Sequence, residues 1–207
     1  MFKKNSVVLF QGDSITDANR NYEDENSWGF GYVNMIASRL SAVYPELNIR
    51  YINKGICGHR VIDLKERWKR DCIDLSPDYL SIMIGINDTL RRYDSNLITS
   101  AEEFKANYRD ILLDVKNNTN AKIIICEPFI IPVSEEKKMW REDLEPKINA
   151  VRELAIEFAD VFIPLDGIFA AACCKREPTF WSLDGIHPIQ NGSALITEEW
   201  INAVKSL

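Results

Sequence analysis

The sequence is poor in histidine: His59 and His187 are the only two in 207 residues. Two-metal hydrolytic sites draw on more imidazoles and paired carboxylates than this chain offers. Paired cysteines are also missing. Cys57, Cys72, Cys126, Cys173 and Cys174 are odd in number and contain no C-x-x-C pair, so they read as reduced thiols of a cytoplasmic protein. No basic block stands out, and the net charge is −6, which argues against a nucleic-acid partner. Lys3-Lys4 and Lys137-Lys138 are isolated pairs on solvated segments. No apolar run approaches the length of a membrane span. Residues 1–10 hold two lysines but no stretch long enough for a signal-peptide core. Neither a membrane partner nor secretion is therefore expected. Repeats, low-complexity segments and linkers are absent too, so residues 1–207 are expected to form one domain.

What is present is a soluble-protein composition, 46% hydrophobic and 27% charged, with a regular alternation of patterns. Short apolar runs at 7–10, 49–53, 79–84, 121–126 and 161–165 read as buried strands. Between them, apolar residues recur at helical spacing over 33–43, 61–75 and 100–117, the last opened by Ser100 with Glu102 and Glu103. Residues 134–159 continue that spacing, with a kink or break expected near Glu145 because Pro146 follows. Further helices are expected at 168–174 and 189–204. Residues 18–28 are polar and loop-like. Five strand–helix alternations call for a parallel sheet with helices on both faces.

Three of these strands stop at polar segments: Gly12-Asp13-Ser14, then 53–58, then Gly85-Ile86-Asn87-Asp88. In a parallel sheet such loops meet at one edge, where open α/β folds bind ligands. A fourth segment, Asp184-Gly185-Ile186-His187-Pro188, precedes the last helix. Acyl transfer needs a nucleophile, a base, a group that orients the base, and donors for an oxyanion. Ser14 can be the nucleophile. His187 lies three residues after Asp184, so one turn can hold both side chains together. The Ser14 and Gly58 N–H groups and the Asn87 amide can serve as donors. Each segment alone reads equally as an ordinary turn or helix cap, but together they fall where the fold brings them to one place.

These four blocks, in this order, resemble the GDSL/SGNH hydrolase superfamily. The resemblance spans nearly the whole chain. It implies a flavodoxin-like, three-layer α/β/α sandwich on a five-stranded parallel sheet. It also implies Ser14, His187 and Asp184 as the catalytic residues, Ser14, Gly58 and Asn87 as the oxyanion hole, and no cofactor or metal. Residues 44–50, Asn53-Lys54-Gly55-Ile56 and 81–88, with Arg91 and Tyr93-Asp94, are similar to the intracellular acetylxylan esterases of that superfamily. That group implies a small-molecule or oligosaccharide ester substrate and self-association. His59 stands where a smaller polar residue is more usual. Asp13, Trp28, Arg91, Tyr93, Phe129 and Trp181 are candidates for shaping the substrate pocket, since aromatic faces suit sugar rings. A longer-chain lipase or thioesterase is the nearest alternative. A metal-dependent phosphoesterase using Asp13, Asn87, Asp88 and His187, or a non-catalytic sugar-binding protein, are alternatives of another class.

Overall fold

A computed structural model describes residues 2–207. Five strands, β1 (Val7–Gly12), β2 (Arg50–Asn53), β3 (Tyr79–Met83), β4 (Lys122–Cys126) and β5 (Val161–Ile163), form one parallel sheet in the order β2-β1-β3-β4-β5. Consecutive side chains of β1 face opposite sides of the sheet. Val8 and Phe10 enter one core, with Val33 and Ile36 of α2 (Tyr32–Val43), Phe169 of α8 (Leu165–Cys173) and Trp200 of α9 (Gln190–Ala203). Leu9 enters the other, with Leu64 and Trp68 of α3 (Val61–Asp71), Phe104 and Tyr108 of α5 (Ala101–Asn118) and Leu154 of α7 (Arg141–Phe158). The result is the expected three-layer sandwich.

The chain leaves β1 toward β2 on one side, while β3 lies on its other side, paired from Val8↔Tyr79 to Gly12↔Met83. That reversal opens a crevice beyond the carboxyl ends of β1 and β3. Ser14 opens the one-turn helix α1 (Ser14–Asp17) just past β1, and Asn87 lies on α4 (Ile86–Asp94) just past β3.

Several elements differ from the sequence pattern. The break in the 134–159 pattern falls at Trp140, between α6 (Glu135–Met139) and α7, and Pro146 lies inside α7. Trp140 is buried and its ring stacks on Tyr93 at 4.8 Å, so tertiary packing places the break. So close to the helix start, Pro146 forfeits a single donor, the one that would reach Glu142. Pro164, which has no N–H, ends β5 at Ile163 and lets α8 begin at Leu165 rather than Ile168. Residues 61–75 divide into α3 and a short 3₁₀ turn, Ile73–Leu75. Helix α4 carries apolar residues at helical spacing, Ile86, Leu90 and Tyr93, but over only nine residues, and the sequence reading assigns no helix there.

Candidate active site

Gly12 makes the Ser14 turn possible. A Cβ there would lie 2.5 Å from the Met83 carbonyl and 2.3 Å from Thr16 Oγ1. Asp13 then caps α1, its Oδ1 accepting the Ile15 N–H at 3.0 Å. Asp13 is buried, and burial pushes its carboxyl up to about 7 against the opposing pull of the Ile15 N–H and of His187. Its carboxylate thus serves the turn and is not open to substrate, contrary to the expectation from sequence. Ser14 follows as the first residue of α1, where a helix leaves its N–H unpaired.

Ser14 Oγ lies 2.8 Å from His187 Nε2, and His187 Nδ1 lies 2.6 Å from Asp184 Oδ2. The other carboxylate oxygen, Oδ1, accepts three donors: Ser182 Oγ at 3.1 Å and the Ile186 and His187 N–H groups at 2.8 Å each. Burial alone would raise this carboxyl. The hydrogen bond from His187 and the two N–H groups outweigh it and hold Asp184 down to about 2. An ionised carboxylate only accepts, so His187 Nδ1 carries a proton and Nε2 presents its lone pair to the Ser14 hydroxyl. The loop is pinned from outside. Gly185, at φ +84, would bring a Cβ to 2.6 Å from the Ile131 carbonyl, and Ile131 N–H bonds the Gly185 carbonyl at 2.8 Å.

The loop after β2 is tied to both neighbours. Ile56 N–H bonds the Gly12 carbonyl at 3.2 Å, and Cys57 N–H bonds Asp17 Oδ2 at 3.1 Å. Asn53 Nδ2 reaches the Thr16 carbonyl at 2.7 Å. On the far side, Asn87 Nδ2 donates to the His59 carbonyl at 3.0 Å, which leaves its second N–H free. Asp88 accepts the Val61 N–H at 3.1 Å and so caps α3 from α4. Burial pushes Asp88 up to about 7. Gly58 sits between these ties at φ +78, beside Arg91.

Sequence reasoning missed the group beneath this loop. Gln11 takes the α3-facing position of β1 and accepts Arg67 Nη1 at 2.9 Å, while its amide donates to the Asp71 carbonyl at 2.6 Å. Arg67 Nε donates to His59 Nδ1 at 3.3 Å, and Nη2 approaches the Gly12 carbonyl at 3.4 Å. Arg67 is buried and paired with Asp71 at 3.4 Å. One guanidinium thus touches the Ser14 turn and the Gly58 loop together. Desolvation, then the Arg67 charge, lower the pKa of His59, which favours the neutral ring that this donor needs. The only sequence signal was a glutamine closing an apolar run.

A cavity of about 370 Å³ opens beside Ser14 and His187, walled also by Asn19, Phe30, Cys57 and Gln190. All four aromatic candidates lie elsewhere. Trp28 Nε1 bonds the Tyr51 carbonyl at 3.1 Å, and its ring meets Tyr51 edge-on. Tyr93 stacks on Trp140, Phe129 is buried against Phe169 at 4.4 Å, and Trp181 packs on the core. Each ring satisfies a core or helix contact and leaves the cavity wall to Phe30. Arg91 pairs with Asp94 next to Gly58. Among the described residues, no group of three or more His, Cys, Asp or Glu side chains could hold a metal ion, and no helix is long and apolar enough to cross a membrane.

A family model described as GDSL-like lipase/acylhydrolase matches residues 10–195. An acetylxylan esterase from Geobacillus stearothermophilus is 36% identical over 205 residues, which cover 95% of this chain and 93% of that one. A crystal structure of an acetylxylan esterase from that organism superposes with a TM-score of 0.89 at 34% identity, over 98% of this chain and 95% of that one. A Parabacteroides merdae protein described as a GDSL-like lipase gives 0.93 at 33% identity, over 100% and 99%. Variants of the Geobacillus enzyme described as catalytic mutants replace a serine, an aspartate and a histidine, the last two three residues apart.

Proposed function

Since this chain belongs to the GDSL-like lipase/acylhydrolase family and is a carboxylic ester hydrolase, we propose that it removes acetyl groups from xylo-oligosaccharides or related sugars, with Ser14 as nucleophile, His187 as base and Asp184 as the partner that orients it. The observation that carries this reading is the run of contacts from Ser14 Oγ to His187 Nε2 at 2.8 Å and from His187 Nδ1 to Asp184 at 2.6 Å. Residues 1–207 are read as one hydrolase domain. The five cysteines are all free, which suits a reducing, cytoplasmic setting.

His187 Nε2 takes the Ser14 proton as Oγ bonds the ester carbonyl carbon, and the carbonyl electron pair moves to oxygen. Ser14 N–H, Gly58 N–H and the free Asn87 N–H stabilise that oxyanion. The bond to the sugar oxygen then breaks as Nε2 returns the proton to it, leaving acetyl-Ser14. Water repeats the sequence: His187 accepts its proton, acetate departs, and Oγ is reprotonated. Asp184 stabilises the imidazolium throughout.

The test is a chain-length series of p-nitrophenyl esters beside peracetylated xylobiose, run in EDTA. Acetate esters should be preferred, xylobiose should be deacetylated, and Ser14→Ala should abolish both activities while remaining folded. Preference for eight-carbon chains would overturn the sugar reading, and a Ser14→Ala variant near wild-type activity would overturn the site.

A further inference from the structure

The cavity beside Ser14 is asymmetric. His187 and Gln190 wall it, whereas Gly58 and Asn87 do not. On the reading above, His187 protonates the departing oxygen, so the cavity on its side holds the alcohol part of the ester. We propose that Phe30, Asn19 and Gln190 form a subsite for that alcohol, and that the ligand they fit is a neutral, hydroxylated sugar ring with one face laid on the Phe30 phenyl group. This rests on the sugar-ester reading and deepens it.

Phe30 is 80% exposed and is the one aromatic ring in the wall of the cavity that holds Ser14 and His187, so a sugar face can reach it without displacing protein. Its backbone is not loose. Gly29, at φ +75, would bring a Cβ to 2.3 Å from the Asp17 carbonyl, and a Cβ on Gly31 would lie 2.7 Å from Ala18 Cβ. Between them the Phe30 N–H bonds the Ala18 carbonyl at 2.8 Å. The ring is thus mounted on the turn that ends the nucleophile helix, at a position fixed relative to Ser14. Ala18 and Asn19 follow that helix at φ +46 and +58. Two adjacent non-glycine residues in the left-handed region mark a wall held in shape by its surroundings.

The chemistry of the wall narrows the ligand. Asn19 and Gln190 face the same cavity, and neither side-chain amide has a hydrogen-bond partner among the described residues. A planar amide offers a donor and an acceptor together, which matches adjacent hydroxyls. No lysine or arginine lines the cavity. Its one carboxylate, Asp17, already accepts from Tyr22 Oη at 2.5 Å and from the Cys57 N–H. A phosphorylated alcohol or thiol carrier would find no cation here, and a long alkyl alcohol would leave both amides without partners.

The test compares kcat/KM for methyl β-xylopyranoside triacetate with kcat/KM for ethyl acetate, whose alcohol is too small to reach Phe30. Expressed as the ratio of the two, Phe30→Ala should lower selectivity about tenfold, mostly through KM of the xyloside, and Phe30→Trp should retain it. The unacetylated methyl xyloside should inhibit the wild type competitively and Phe30→Ala about tenfold more weakly. An unchanged ratio with unchanged inhibition overturns the subsite. A wild type that hydrolyses ethyl acetate but not the xyloside overturns the sugar-ester reading itself, and the subsite with it. Because Phe30 touches solvent on most of its surface, its truncation leaves the fold intact.

Discussion

Replacing Asp184 by Asn tests the polarity of the hydrogen-bond chain with almost no change of shape. An asparagine has one oxygen and one NH₂ to place where the carboxylate had two oxygens. At the Oδ1 position three donors converge, from Ser182, Ile186 and His187. An NH₂ there would oppose all three, so the amide oxygen takes that side and the NH₂ faces His187 Nδ1. The imidazole must then accept at Nδ1 and carry its proton on Nε2, where it can no longer take one from Ser14. In serine proteases this same tautomer error lowers kcat about 10⁴-fold, and a similar loss is expected here in p-nitrophenyl acetate hydrolysis, with KM within a factor of about three.

Asp184 also has a signature in stability. Its carboxyl drops from 3.8 unfolded to about 2 folded, a difference of roughly 2.5 kcal/mol at about 1.4 kcal/mol per unit. The side chain is 51% exposed, and solvent screening reduces this to about 1 kcal/mol. The folded value lies below the unfolded one, so the stabilisation is complete above pH 3.8 and is lost as pH falls through about 2. Urea titrations of wild type and Asp184→Asn should therefore differ at pH 6 and converge near pH 2. A folded Asp184→Asn enzyme within tenfold of wild-type kcat would refute the tautomer argument.

With Asn87 in the proposed oxyanion role, Asn87→Ala should lower kcat by about 10²–10³ with little change in KM, because that role is filled only as the oxyanion forms; stopped-flow acylation rates measure this. Arg67→Met should reduce unfolding free energy by about 3 kcal/mol, the lower end for a broken buried pair because Asp71 keeps Arg70 at 2.8 Å. It should also lower kcat, through the freed Gly58 loop; urea midpoints and kinetics check both. Asp88 behaves oppositely to Asp184. Its folded pKa, about 7, lies above 3.8, so the Asp88 contribution to stability falls as pH rises from about 4 to 7. Asp88→Asn keeps an acceptor for the Val61 N–H and should flatten that slope in thermal melts.

Much of this was legible in the chain. Strand ends carrying glycine and small polar residues located the crevice, because a parallel sheet sends every such end to one edge. The three-residue spacing of Asp184 and His187 announced a shared turn. What escaped was set by tertiary contact. Trp28, Tyr93 and Trp181 suit a sugar pocket by type, yet each has a protein partner that no local pattern reveals. Phe30, two residues from Trp28, instead lies exposed in the cavity wall, its backbone held against Ala18. Arg67 carries no local signal in the sequence, because its acceptor, Gln11, lies 56 residues earlier and faces it only through strand alternation in β1.

The most direct measurement is covalent trapping. After incubation with a p-nitrophenyl alkylphosphonate, peptide mass spectrometry should find one phosphonyl group per chain, on the peptide holding Ser14, at a rate that falls by orders of magnitude in His187→Ala. Inactivation with the adduct on another residue, or trapping of Ser14 at an equal rate without His187, would contradict a hydroxyl activated by that imidazole.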